Sequence, residues 1–129
     1  MENSATLARS MQQLQFHIHR EAEFTTLKVT GPATLGDFVA FIAELGEITR
    51  THGDKRLLVD LLDVENEFRF TDHFLIGEEA ARHLKHLERL ASVVPEAELT
   101  RTSEKVAVKQ GLQLQVFTSM KQAIAWLTH

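Results

Sequence analysis

Apolar and polar positions change their spacing several times along the chain, and each change predicts a new element. Residues 14–20 and 24–30 alternate apolar and polar side chains, which is the pattern of half-buried strands. Only three residues separate the two runs, so we expect an antiparallel hairpin. Gly31 and Pro32 are expected to end the second strand, because neither residue favours the interior of a sheet.

A helix with a broad apolar stripe is predicted next. Thr34 can cap this helix, and Asp37 lies in its first turn, where a carboxylate complements the helix dipole. The apolar residues recur at helical spacing: Leu35, Phe38, Phe41, Ile42, Leu45 and Ile48. Gly53 marks the end of the helix, since glycine is the usual residue just past a C-terminus.

Residues 57–62 form an apolar run that is too short for a helix and includes one carboxylate, Asp60. This run predicts a buried central strand. We expect an acidic loop after it, with Asp63, Glu65 and Glu67. In open α/β sheets, binding takes place at the carboxyl ends of the strands, so residues 64–76 are the predicted binding segment.

The second half of the chain alternates helices and strands. The patterns predict a helix from Thr71 to about His86, a strand at 90–94, a helix at 99–110, a strand at 112–116, and a helix that begins with a capping box at Ser119 and Gln122. The resulting order, β-β-α-β-α-β-α-β-α, predicts an α/β fold with a mixed five-stranded sheet and an antiparallel first strand. Because three strands alternate, we expect helices mainly on one face and a partly wet second face.

Composition excludes several classes of protein. The 129 residues are 43% hydrophobic and 25% charged, which is ordinary for a soluble globular chain, and we expect one domain at 14–129 after a flexible arm at 1–13. A net charge of −4 argues against a nucleic-acid partner. The absence of cysteine excludes disulfides and thiolate chemistry. We expect a cytoplasmic protein without a cofactor.

Three stretches carry a family resemblance: residues 57–61, the strand end at 93–95, and the terminal run at 116–127. Together they resemble the SpoIIAA-like proteins, which share the STAS fold of anti-sigma-factor antagonists. The resemblance covers roughly residues 14–128 and implies a superhelix of sequentially added βα units. It also implies a relation in fold to the CRAL-TRIO lipid-transfer domains, and hence an apolar ligand or contact with a membrane surface.

The resemblance implies a regulatory module that binds a partner protein. In the family, a serine at the start of the helix after the central strand is phosphorylated as a switch. No serine lies between Asp60 and Phe74 here, and Thr71 is the only hydroxyl, so we expect no phosphoswitch. Thr71 can accept a phosphate or act as a plain N-cap, and residue preferences favour the cap.

Phe68, Phe70, Phe74 and Ile76 follow the acidic residues and form a candidate apolar site. They can line a ligand pocket or insert into a membrane surface. Alternatively, Phe70 and Phe74 form a hydrophobic staple around Thr71. Burial statistics favour core packing for Phe74, and Phe68 is expected to be the most exposed of these residues.

Charged clusters supply further candidates. The carboxylates of Asp60, Asp63, Glu65 and Glu67 suit acid/base work or a hard cation, but a calcium-loop spacing is missing, so a solvated loop with Asp60 bonded to a backbone amide is favoured. His17 and His19 share a strand face without a third metal ligand. Arg82, His86 and Arg89 can contact an anion or a lipid head group, or simply complement the end of a helix.

We therefore expect a binding module rather than an enzyme, because no arrangement of acid, base and nucleophile is recognisable. The predicted contact residues are Asp63, Glu65, Glu67, Phe68, Phe70, Thr71 and Phe74. Regulatory binding of a partner protein is the first hypothesis. The alternative is a carrier or sensor of a lipophilic small molecule, peripheral to the membrane. A homodimer supported by the wet sheet face and the N-terminal arm is also expected.

Overall fold

The computed structural model describes residues 14–129, so the arm predicted at 1–13 lies outside the described residues. The elements are β1 (Gln15–Arg20), β2 (Thr25–Pro32), α1 (Leu35–His52), β3 (Arg56–Glu65), α2 (Asp72–Leu84), β4 (Arg89–Val93), a 3₁₀ helix (Glu96–Glu98), α3 (Thr102–Lys109), β5 (Leu114–Phe117) and α4 (Met120–Thr128). The predicted α/β class and element order are confirmed. Within residues 14–129, none of the helices has the length and apolar character needed to cross a membrane.

The five strands form one sheet in the order β1-β2-β3-β4-β5, with β3 in the centre as predicted. β1 pairs with β2 antiparallel, and all the other pairs are parallel. The carboxyl ends of β2, β3, β4 and β5 therefore meet at one edge of the sheet, which we call the carboxyl edge.

Helices cover the two faces of the sheet unequally. The larger core contains Leu27, Val59 and Leu90 from the strands and residues of α1, α2 and α3, so these three helices share one face. The second core contains Leu58, Ala91 and Val93, over which α4 packs. His17 on β1 and Lys28 on β2 lie beyond α4 and are at least partly exposed. This agrees with the predicted partly wet second face.

β2 ends later than the sequence predicted. β2 continues through Gly31 and Pro32, which pair with Val64 and Glu65 of β3. β1 pairs with β2 only as far as Thr30, so Pro32 lies where β2 has a neighbour on one side, and there a missing N–H is tolerated.

The helix predicted at 99–110 is also shorter than expected, because α3 begins at Thr102. The hydroxyl of Thr100 accepts the N–H of Thr102 at 3.3 Å, and a 3₁₀ turn, Glu96–Glu98, follows Pro95. Such local bonds compete with the helical hydrogen-bond pattern and delay the start of the helix.

Two glycines allow the helices of the larger core to approach one another closely. A Cβ atom on Gly46 of α1 would lie 2.6 Å from the carbonyl oxygen of His83 in α2. A Cβ on Gly77 of α2 would lie 2.6 Å from the carbonyl oxygen of Ser103 in α3. The three helices thus touch backbone to backbone at these two positions.

Candidate functional site

An extra residue in β3 shapes the floor of the site. Lys28 of β2 pairs with Asp60, but Thr30 pairs with Asp63, so β3 contains a bulge between these positions. Oδ1 of Asp60 accepts the N–H of Leu62 at 3.0 Å, which stabilises the bulge. The prediction that Asp60 bonds to a backbone amide is confirmed.

The bulge also brings two carboxylates together around one amine. Nζ of Lys28 donates to Asp63 at 2.8 Å and to Asp60 at 3.2 Å. The hydrogen bond to Asp63 raises the pKa of Lys28, and the hydrogen bond to Asp60 adds a smaller increase. Asp63 and Glu65 were expected in a loop, but both lie in β3, because β2 extends far enough to pair with them.

A cavity of about 420 Å³ lies between the sheet and α1, α2 and α3. Most of its lining is apolar and includes Phe38, Phe41, Val59, Leu61, Ile76 and Leu90. The exposed lining residues, among them Glu67, Phe70 and Glu98, all belong to segments that follow β3 and β4. The cavity therefore opens at the carboxyl edge.

Phe68 lies inside this opening, so the expectation that it is the most exposed phenylalanine was wrong. It is half-buried, and its ring centroid lies 5.4 Å from that of Phe38 in α1. Oδ1 of Asn66 accepts the N–H of Phe68 at 3.0 Å. This local turn folds the segment back, so that the ring contacts the larger core rather than solvent.

Phe70 and Phe74 form the exposed apolar pair beside the opening. Their rings meet edge to face at 5.4 Å, as a staple would, but Phe70 is 65% exposed and Phe74 is 44% exposed. The prediction of core packing for Phe74 was therefore wrong. Ile76 and Ala80 provide the buried stripe of α2, and Phe74 lies outside that stripe.

The start of α2 differs from the prediction as well. Thr71 occupies the N-cap position as predicted, but it has helical backbone angles and its side chain makes no capping hydrogen bond, so the predicted capping role was wrong. Instead, Oδ2 of Asp72 accepts the N–H of Arg69 at 2.8 Å. The carboxylate reaches back to the turn before the helix, as the acidic residue of a capping box does, and this bond stabilises the start of α2.

Polar groups gather at the opening of the cavity. Nδ2 of Asn66 donates to Oε1 of Glu98 at 3.3 Å, which joins the segment after β3 to the 3₁₀ helix after β4. His73 of α2 also lines the cavity, and burial lowers its pKa, partly opposed by the charges of Asp72 and Glu98. Sequence reasoning missed Glu98 and His73, because nothing in their local pattern indicates that α2 and the 3₁₀ helix meet.

The predicted basic cluster lies outside the cavity, and its members have separate partners. Arg82 pairs with Glu79 at 3.5 Å, and Nε2 of His86 lies 2.8 Å from the hydroxyl of Thr49. Arg89 donates to the carbonyl oxygen of Trp126, and its guanidinium lies 5.2 Å from the centroid of the Trp126 ring. The predicted contact with an anion stays a prediction.

The two strand histidines lie on the wet face of the sheet. His17 and His19 are both exposed, and Nε2 of His19 lies 3.1 Å from a carboxylate oxygen of Glu21. Residues 14–129 contain no group of three or more His, Asp or Glu side chains placed to hold a metal ion.

Comparisons with known proteins address the fold. A family model described as SpoIIAA-like matches residues 24–128. A similar solved structure is an uncharacterised protein of the DUF3478 family with a SpoIIAA-like fold from Shewanella loihica PV-4. It is 21% identical over 89% of this chain and 93% of that chain, with a TM-score of 0.55.

An anti-sigma factor antagonist from Mycobacterium paratuberculosis is also similar, with 9% identity over 92% of this chain and 97% of that chain, and a TM-score of 0.63. At these identities, the two structures show a shared fold. A search of curated proteins finds no match. The predicted resemblance is thereby confirmed by the family model and by both structures.

Proposed function

The chain belongs to the SpoIIAA-like family, and we propose that it is a non-enzymatic module that binds an apolar small molecule in the cavity at the carboxyl edge. It acts as a carrier or sensor of that molecule, without a phosphoswitch. The sequence put partner-protein binding first and a lipophilic ligand second. The cavity is the observation that reverses this order.

The size and lining of the cavity both support a ligand. Its volume of about 420 Å³ falls within the range of roughly 300–1,000 Å³ that is typical of small-molecule sites. Side chains that face an empty apolar space lose dispersion contacts, and a bound apolar molecule restores them.

The lining combines a rigid part on the sheet, which we call the floor, with an accessible opening. Val59 and Leu90 come from paired positions of the sheet, whose hydrogen bonds fix their positions. The segment that contains Phe68 and Phe70 follows the sheet and has no regular secondary structure. A preformed floor reduces the ordering cost of binding, while the segment at the opening gives the molecule a way in.

The proposal is tested by filling the cavity from two sides. Ser92→Leu enlarges a side chain on the floor, and Ala97→Trp places a ring at the opening, since both residues line the cavity. Ala22→Trp is the matched control, because Ala22 lies exposed in the turn between β1 and β2, at the opposite edge of the sheet. Binding of the neutral dye Nile red is measured by fluorescence, and native mass spectrometry identifies copurified molecules.

We expect wild type and Ala22→Trp to bind the dye equally, and both cavity variants to bind it at least about tenfold more weakly, a loss of roughly 1.4 kcal/mol. Thermal unfolding verifies that each variant is folded. Equal dye binding by all four proteins would show that the dye occupies another surface, and the proposal would then fail.

A second candidate function, binding of a partner protein, is supported by exposed apolar residues in the first turn of α2 and in the turn just before it. Phe70 is 65% exposed, Phe74 is 44% exposed and Leu75 is 38% exposed. Adjacent exposed aromatic residues commonly anchor protein interfaces. Phe74 does not line the cavity, so Phe74→Asp separates the two functions. A stoichiometric complex with one defined protein that survives Ser92→Leu but not Phe74→Asp would support the partner hypothesis.

A further inference from the structure

The charges around the cavity have one sign. Its charged lining residues are Glu67 and Glu98, and neither lysine nor arginine lines it among residues 14–129. The one other ionisable lining residue is His73, whose pKa is lowered by burial, so its ring is neutral at pH 7. A molecule in the cavity therefore meets negative charge at the opening and no fixed positive charge.

Three cationic side chains in the surrounding segments, Lys28, Arg69 and Arg101, do not line the cavity. Lys28 donates to Asp60 and Asp63 on the other face of the sheet. The guanidinium of Arg101 donates to Glu104 at 2.8 Å and to the carbonyl oxygen of Val116 at 3.0 Å. Arg69 is exposed and is not part of the cavity lining.

We propose that the molecule bound in the cavity carries a cationic amine at its polar end, placed beside Glu98 and Glu67 at the opening. This inference rests on the proposed function and specifies its ligand class. The carboxylate of a fatty acid would lose part of its hydration next to two like charges, with no cation to replace it. An amine gains attraction from both glutamates and can donate hydrogen bonds to their oxygens.

The position of Glu98 makes it the stronger of the two contacts. It comes from the 3₁₀ helix after β4, and its Oε1 accepts a hydrogen bond from Asn66 across the opening. This bond holds the carboxylate in place before a ligand arrives, and a preorganised charge interacts more strongly than a freely moving one. Glu67 has no such partner at the opening among the bonds of the described residues.

Three ligands of equal chain length test the proposal: decylamine, decanol and decanoate. The measurement is displacement of Nile red from the wild-type protein by each ligand at pH 7.4 and low salt, with each ligand below its critical micelle concentration. We expect decylamine to bind at least about tenfold more tightly than decanoate, with decanol between them, and the preference to shrink as salt is raised.

Two variants locate the effect. Glu98→Gln removes the charge but keeps the size and an acceptor oxygen, so the preference for decylamine over decanol should fall about threefold to fivefold. Glu47→Gln is the matched control, because Glu47 is an exposed residue of α1 that does not line the cavity. It should leave the preference unchanged.

The outcomes separate this inference from the function on which it rests. If decanoate binds as tightly as decylamine, or if Glu98→Gln leaves the preference unchanged, the amine assignment is overturned while the cavity remains a binding site. If none of the three ligands displaces the dye and none binds in native mass spectrometry, both the binding function and the amine assignment are overturned.

Discussion

Asp72 and Thr71 are neighbours at the start of α2, but only the side chain of Asp72 makes a hydrogen bond there. Asp72→Ala removes the hydrogen bond to the N–H of Arg69, and it should lower the free energy of unfolding by about 1 kcal/mol. Thr71→Ala removes an exposed hydroxyl with no capping bond, so the change should stay below about 0.5 kcal/mol. Urea unfolding measures both values, and an equal loss from the two variants would contradict this account.

Single residues could be predicted from the sequence when their partners lie close along the chain. Thr34 and Asp37 form the capping interactions of α1, and Asp60 bonds to a backbone N–H two residues away. The burial of Phe68 depends on Phe38, which is distant in sequence and belongs to another element. The acidic residues next to Phe68 in the sequence indicate exposure. The contact with Phe38 cannot be inferred from that local pattern.

Helix contacts through Gly46 and Gly77 give a prediction at the scale of elements. Gly46→Ala or Gly77→Ala should lower the free energy of unfolding by about 1–3 kcal/mol, because the added methyl group would meet the backbone of the next helix. Gly36→Ala is the control within α1. Its Cβ would meet only the Thr34 hydroxyl, at 3.9 Å, and helix propensity should make it neutral or stabilising by about 0.5 kcal/mol.

Urea or thermal unfolding of the three variants checks this prediction. A stabilised Gly46→Ala or Gly77→Ala protein would mean that the helices are not in backbone contact in solution. The same contact explains why α2 tolerates glycine in its interior, where the residue otherwise weakens a helix.

Elements could be predicted where two independent signals agreed. α1 has both an apolar stripe and a capping pair, and its observed bounds, Leu35–His52, match the prediction closely. β2 and α3 were misjudged, because Gly31, Pro32 and Leu99 were interpreted from local preference alone. Pairing with β3, a contact distant in sequence, extends β2. The start of α3 is delayed by a local bond from the N–H of Thr102 to the hydroxyl of Thr100, which the apolar pattern does not reveal.

Two histidines give the whole molecule a defined response to acid: His73, which is half-buried, and His86, which is largely exposed but contacts the hydroxyl of Thr49. Burial lowers the pKa of His73, and burial together with the charge of Arg50 lowers the pKa of His86, in each case from an ordinary value of 6.5. Well above pH 6.5 the rings are neutral in the folded and unfolded states alike. Below it the unfolded chain takes up protons first, so the free energy of unfolding should decrease as the pH falls.

Asp54 should add a second loss in stronger acid. Hydrogen bonds from Arg20, and to a smaller extent from Thr25, lower its pKa from 3.8, so its contribution is complete above that value and is lost as the pH falls further. Urea unfolding between pH 7.5 and pH 3 checks both steps. His73→Gln and His86→Gln should each flatten the first step, and an unchanged slope in both variants would contradict the assignment.

The cavity itself could not be predicted from the sequence. Its lining residues read individually as core residues of α1, β3 and α2, and periodicity correctly assigned most of them to buried faces. Whether such faces close completely or leave a space depends on the distance between elements. That distance is set by long-range contacts such as those at Gly46 and Gly77.

The order of the strands also governs how the protein can be made. Every strand lies beside the one synthesised before it, so no later strand has to insert between two that are already paired. The sheet can therefore grow during translation, because the strand made last is an unpaired edge with which the next strand can pair. Among the described helices, α4 (Met120–Thr128) packs over the face formed by Leu58, Ala91 and Val93, so a nascent chain leaves that apolar surface without its helix until α4 has been made.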